Sequence, residues 1–169
     1  MENKKLYLFY GPNGSGKTTI ARFLATKHGG LHIQLDWYSS MHRGKKWHTR
    51  KNNMDKINLF LGTLNSAISK TSYNLFFVDG VIIYPFMFKM IKEWCKQNNI
   101  KLFTYKLIGD CPELELRVKK RVKEKKNNWN KKLSQIYKQL IFEDTLVIDT
   151  TKEKITVLSK KIEKNSGLT

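Results

Sequence analysis

Eight consecutive residues, Gly11-Pro-Asn-Gly-Ser-Gly-Lys-Thr18, fit the spacing G-x-x-x-x-G-K-[ST] at every fixed position. Glycines at 11, 14 and 16 let backbone N–H groups turn inward around phosphate oxygens, and a helix opening directly after them adds the positive end of its dipole. Lys17 is then placed to reach the β- and γ-phosphates of a nucleoside triphosphate, and the Thr18 hydroxyl to ligate Mg²⁺. Asn13, Ser15 and Thr19 complete the candidate nucleotide-binding set. A glycine-rich turn that binds nothing would not need all of these residue types in this order. An acid, Asp79, closes the apolar run "LFFVDG". A carboxylate at the end of a buried strand beside such a cradle can hold the metal ion through water, although an Asp-Gly pair is also a common turn former.

A second acid stands apart. Asp36 ends "LHIQLD", and the next fifteen residues contain no other acid. A lone carboxylate beyond the carboxyl end of a strand is well placed to accept a proton from an attacking hydroxyl. Around it lie Trp37, Tyr38, Arg43, Lys45, Lys46, Trp47 and Arg50. These residue types can stack on bases and track a phosphate backbone, so they are the candidate acceptor-binding set. An amphipathic element with its aromatics packed inward fits the same residues. His42 and His48 lack partners at metal-ligand spacing, so no zinc site is assigned. Farther along, Arg117, Arg121 and Lys125 recur every four residues beside Leu114, Val118 and Val122, giving a cationic stripe next to an apolar one. The chain has five arginines, and two of them sit here, where a planar fork suits phosphate contact.

The elements that must position these groups are legible from periodicity. Strands are expected at 6–10, 31–36, 74–80, 100–110 and 145–150. Helices are expected after Gly16, over 54–69, from Pro85, from Cys111, around 132–142 and from about 152. In the last of these, Thr150 and Glu153 have capping-box spacing. Residues 37–53 read as a basic insert and 111–132 as a lid region. Continuous apolar strands alternating with helices imply an α/β fold with a parallel sheet covered on both faces. At 169 residues, without an internal repeat or linker, the chain reads as one domain.

Thirty-two basic against fourteen acidic residues give a formal charge of +18, which favours a polyanionic partner over biased codon usage alone. No apolar run is long enough for a membrane span, and no signal-peptide pattern precedes "LYLFY". Two cysteines outside a CxxC pair suggest reduced thiols in a cytoplasmic protein. "NKKL" at 130–133 is not the guanine-reading Asn-Lys-x-Asp, which disfavours a GTPase. The chain is short for an oligomeric ATPase carrying a further helical domain.

The stretches "GPNGSGKTT", "LDWYS", "FFVDG", "CPELELRVKKR" and "LVIDTT" together resemble the P-loop kinases of the polynucleotide kinase and zeta-toxin type, a group that includes gluconate-kinase-like and chloramphenicol-phosphotransferase-like enzymes. The resemblance covers nearly the whole chain. It implies a three-layer fold with a five-stranded parallel sheet of order 2-3-1-4-5, a helical lid, and ATP and Mg²⁺ as cofactors. It also implies Asp36 as the general base, and Lys17, Arg117 and Arg121 as the cations acting on the transferred group. In one respect the chain departs from the family: polynucleotide kinases often carry an arginine three residues after that aspartate, and here Ser39 stands there. The expected function is phosphate transfer to a hydroxyl on a nucleic acid, a 5′-hydroxyl end or a hydroxymethylated base. A kinase for a nucleoside, nucleotide, sugar or antibiotic is the first alternative. A nucleotide-regulated nucleic-acid-binding protein without transfer activity is the second.

If residues 11–18 hold phosphates, ATP at a hundred times its dissociation constant stabilises the fold by roughly 2.7 kcal/mol. Lys17→Ala is expected to remove the ATP-induced rise in thermal midpoint while leaving the ligand-free midpoint in place.

Overall fold

The computed structural model describes residues 4–37, 49–121 and 135–168, with Arg121 described by its backbone alone. Five strands, β1 (Lys5–Tyr10), β2 (Leu31–Gln34), β3 (Leu75–Gly80), β4 (Lys101–Ile108) and β5 (Thr145–Asp149), form one sheet in the order β2-β3-β1-β4-β5. Every pairing is parallel. This is the fold class and strand order that the sequence led us to expect. Both faces are covered, which is why the strands carry continuous apolar runs rather than alternating ones. No helix among the described residues is long and apolar enough to cross a membrane.

Strand alternation divides the core into two layers. Leu6, Leu8 and Tyr10 of β1, with Phe76 and Val78 of β3, pack under α2 (Arg50–Lys70), α3 (Pro85–Gln97) and a short helix α5 (135–139). Tyr7, Phe9, Phe77, Tyr105 and Leu107 face the other way, under α1 (Lys17–His28) and α6 (Ile155–Ser166). A polar contact between α2 and α3 has Trp94 Nε1 donating to Asn65 Oδ1 at 2.8 Å. The remaining helix, α4 (Cys111–Arg121), lies over the loop that follows β1.

Several boundaries differ from the sequence reading. Strand β2 stops pairing at Gln34, opposite Asp79, and Leu35–Trp37 form a 3₁₀ turn, so Asp36 lies just past the strand rather than on it. Helix α2 begins at Arg50, four residues before the first apolar position, because Thr49 caps it by accepting the Asn52 N–H. The last part of the expected basic insert therefore belongs to a helix. The expected capping box at Thr150 and Glu153 does not form. Helix α6 is entered from Lys154 without a side-chain cap. Thr150 instead donates its hydroxyl to Ile108 O, and Glu153 accepts from Lys161. Of the expected lid, 111–121 is helical and 122–132 lies outside the described residues, as do Val122 and Lys125.

Gly62 sits inside α2, with open space where a Cβ would project. Glycine there gives up backbone entropy and gains nothing in packing, so Gly62→Ala is expected to stabilise the fold by roughly 0.5–1 kcal/mol. A rise of a few degrees in the thermal midpoint is the expected readout.

Candidate active site

The loop between β1 and α1 owes its shape to backbone that other residues cannot adopt. Gly11 has φ +148°, and a Cβ there would lie 2.1 Å from the Leu107 carbonyl oxygen of β4. Gly14 has φ +82°, and its Cβ would lie 2.6 Å from the Leu114 carbonyl oxygen of α4 and 3.2 Å from Val118 Cγ2. Leu114 and Val118, the expected apolar stripe, are thus the residues that rest on the loop. Within it, Ser15 Oγ donates to Pro12 O at 2.8 Å, and Lys17 Nζ donates to the same oxygen at 2.9 Å. Lys17 is buried, with its amine across the mouth of the loop. Asn13 is half-buried and Thr19 exposed beside it.

Thr18 and Asp79 meet as expected. Thr18 Oγ1 donates to Asp79 Oδ2 at 2.6 Å. Two residues that the sequence reading did not single out complete the cluster. His32 Nε2 lies 2.6 Å from Asp79 Oδ1, and against a carboxylate the ring N–H is the donor. Gln34 Nε2 donates to Thr18 Oγ1 at 3.3 Å. The period-2 alternation of β2 puts His32 and Gln34 on one face, and that signal was available in the sequence. The adjacent hydroxyl and carboxylate oxygens are the hard donors that Mg²⁺ prefers, and His32 supplies an outer partner of the kind that fixes a ligating carboxylate. The residues fit the ion that the fold implies.

Asp36 points into the space between β2 and β3. Its Oδ1 accepts from Lys56 Nζ at 2.9 Å and from the Val81 N–H at 3.1 Å. Lys56, on α2, has a side chain only 4% exposed, whereas that of Asp36 is 35% exposed. Burial by itself would raise the Asp36 pKa. The nearby Lys56 and Lys17 cations and the two hydrogen bonds outweigh it and hold the carboxyl below the usual carboxylate range. Lys56 was invisible beforehand because nothing in "NMDKINLF" marks its lysine as inward-facing. Trp37, next in the chain, is 72% exposed. Arg50 opens α2 with its guanidinium 5.4 Å from the Phe86 ring centroid. Tyr38, Arg43, Lys45, Lys46 and Trp47 lie outside the described residues.

Arg117 is engaged on the far side of the loop. Its guanidinium donates to Glu113 Oε1 at 3.0 Å, to Thr150 O at 2.9 Å and to Thr151 O at 3.1 Å, bracing α4 against the β5–α6 connection. Arg121 lies in the last turn of α4, and its side chain is outside the description. Lys106, which reads as an ordinary strand residue, is buried at the level of Tyr10, and burial lowers its pKa. Cys95 is buried, with its thiol pushed up to about 12, and Cys111 is half-buried. Neither belongs to this site.

A family model described as "ATPase family associated with various cellular activities (AAA)" matches residues 7–79, less than half of the chain, running from β1 through the phosphate loop to Asp79. No curated protein sequence matches. Solved structures match over almost the full length. An APS kinase from Mycobacterium tuberculosis, in complex with AMPPNP and APS, superposes with a TM-score of 0.74 at 11% identity, covering 98% of each chain. A sugar kinase from Janibacter sp. gives 0.73 at 15% identity, covering 95% of this chain and 93% of that one. A shikimate kinase from Acinetobacter baumannii, in complex with shikimate, gives 0.61 at 21% identity, covering 99% and 97%. At these identities the likeness is one of fold. The chain shares the fold of these P-loop kinases, with its own phosphate loop following β1.

The Asp36–Lys56 pair makes a pH prediction. The folded-state pKa of Asp36 is depressed, so the stability it contributes is present above its unfolded pKa and is lost as pH falls through the folded one. Lys56→Met removes the nearest attractive charge and raises the Asp36 pKa. For a transfer activity that requires this carboxylate ionised, the acid limb of kcat/KM against pH is expected to move to higher pH in the variant.

Proposed function

We propose that the protein is an ATP- and Mg²⁺-dependent phosphotransferase that moves the γ-phosphate to an alcohol. One observation carries this reading. The phosphate loop with Lys17 and Thr18, the Asp79 carboxylate and a separate carboxylate, Asp36, all lie at the carboxyl ends of β1, β2 and β3. A protein that only binds nucleotide needs the first two. The third, held in ionised form by Lys56 and Lys17, is the group that a transfer to an alcohol adds.

In this reading the N–H groups of Gly11 to Thr18 and the Lys17 ammonium hold the triphosphate. Thr18 and Asp79 hold the metal, and His32 and Gln34 keep those two oriented. Magnesium, when bound, neutralises charge on the phosphate oxygens. Asp36 orients the acceptor hydroxyl and takes its proton as the bond to phosphorus forms. Its lowered pKa makes it a weak base, which suffices where the transition state is loose and the proton leaves late. Arg117 acts from the β5–α6 side, with Arg121 one turn farther along α4.

A small alcohol is the acceptor class best supported. The kinases of the same fold named above act on APS, sugar or shikimate according to their descriptions. Asp36 is also only partly exposed, its carboxylate held by the buried Lys56 of α2. A hydroxyl on a nucleic acid is the second reading. It is favoured by the +18 charge and by the exposed Trp37 indole directly beside Asp36.

Asp36→Asn preserves shape and removes the proton acceptor. Phosphate transfer from labelled ATP, assayed across sugars, nucleosides, hydroxy acids and 5′-hydroxyl oligonucleotides, is expected to fall on the order of 10²- to 10⁴-fold with ATP affinity little changed. Near-wild-type transfer in this variant would rule out Asp36 as the base.

A further inference from the structure

Among the described residues, two buried side-chain polar atoms have no hydrogen-bond partner, the hydroxyls of Tyr7 and Tyr137. Tyr7 faces the α1–α6 layer, away from the site. Tyr137 is on the other side. It projects from α5 into the layer beneath α2 and α3, is 1% exposed, and packs its ring against Tyr10 with centroids 6.2 Å apart. The Asp36 charge and the backbone N–H groups of Ile82 and Gly11 are near enough to act on its oxygen, but its O–H has no acceptor in hydrogen-bond geometry among the described residues. Those three neighbours are the base, the segment following Asp79 and the first residue of the phosphate loop. A buried hydroxyl left unbonded is costly, and native interiors rarely tolerate one without a purpose.

We propose that Tyr137 is an acceptor-binding residue, its O–H donating to the oxygen of the same alcohol whose proton Asp36 accepts. The proposal rests on the phosphotransferase reading and names the contact that positions its second substrate. An alcohol oxygen presents one proton and two lone pairs. The proton goes toward Asp36, one lone pair is held by the phenol, and the other is left to attack. In the step, the alcohol oxygen forms a new bond to the γ-phosphorus. The bond from that phosphorus to the β,γ-bridging oxygen breaks, with its electron pair leaving on ADP, and the alcohol proton passes to Asp36. The phenol keeps its own proton throughout. Burial, reinforced by the negative charge of Asp36, raises its pKa well above the ordinary phenol range, so it remains a donor.

The test is Tyr137→Phe, which deletes only the unpartnered oxygen, with Tyr7→Phe as the control from the opposite layer. Thermal midpoints, ATP-induced stabilisation, labelled transfer across the acceptor panel and basal ATP hydrolysis (water taking the alcohol's place) are measured on the full chain. Tyr137→Phe is expected to keep or raise the midpoint and to bind ATP as wild type does. Its kcat/KM for the labelled acceptor is expected to fall roughly 10- to 100-fold, with a parallel drop in hydrolysis, as expected for loss of one substrate hydrogen bond in a buried site. Tyr7→Phe is expected to leave the kinetics unchanged. Wild-type kinetics in Tyr137→Phe overturn the proposal, and so does a lowered midpoint, which would show the hydroxyl bonded within the folded protein. If no alcohol is labelled, the hydrolysis comparison decides in the same way. The two readings fail separately: transfer insensitive to both Lys17→Ala and Asp36→Asn removes the phosphotransferase reading. Transfer sensitive to those two but indifferent to Tyr137→Phe removes only this one.

Discussion

At two points, Gly11 and Gly14, the backbone of the loop after β1 passes so close to its neighbours that no side chain fits. At Gly11 the neighbour is the carbonyl of Leu107 in β4, and at Gly14 it is the carbonyl of Leu114 in α4. Both glycines have positive φ, so the turn is excluded to other residues on conformational as well as steric grounds. Strand β1 is the centre of the sheet, paired with β3 on one side and β4 on the other. The loop that leaves it therefore has its position set by the sheet below and by the first turns of α4 above. The phosphate cradle, the β1–β4 pairing and the seating of α4 form a single packing problem, and the rest of the site is arranged around its solution.

Charge burial organises the neighbouring part. A carboxylate and an ammonium removed from water must each find a partner, and the penalty for leaving either one alone exceeds the gain from pairing them. Lys56 is buried on α2, so the Asp36 carboxylate holds α2 to the end of β2 as much as Lys56 holds Asp36. His32 and Thr18 do the equivalent for Asp79, one oxygen each. These pairs hold two carboxylates at fixed positions beside the cradle, at the ends of β2 and β3.

The excess of positive charge has a plainer consequence than the sequence first suggested. Some of the few acids are consumed by local pairs, such as Glu163 with Lys27 and His28, and Glu143 with Lys92. Most other lysines among the described residues are exposed or half-buried, where they attract any polyanion whatever the acceptor may be. Charge therefore speaks to association in general and not to one class of acceptor.

By itself the sequence determined the layer architecture, the strand order implied by its family resemblance, the phosphate cradle, and the pairing of Thr18 with Asp79. These features are local: a contiguous motif, continuous apolar runs and helical periodicity are all written within a few residues of where they act. It also singled out Asp36 and the arginines of α4. What Asp36 faces, and where Arg117 points, were decided by the tertiary structure. Lys56 is twenty residues from Asp36 and Tyr137 a hundred and one, and each reads in isolation as an unremarked helix residue. His32 joins Asp79 only because β2 pairs with β3 in one particular register. Arg117 turns to the carbonyls of Thr150 and Thr151 because the end of β5 lies beside α4. Periodicity says which face of an element is buried, but which polar groups meet across the sheet depends on register and helix seating. Those are settled only when the whole core packs at once.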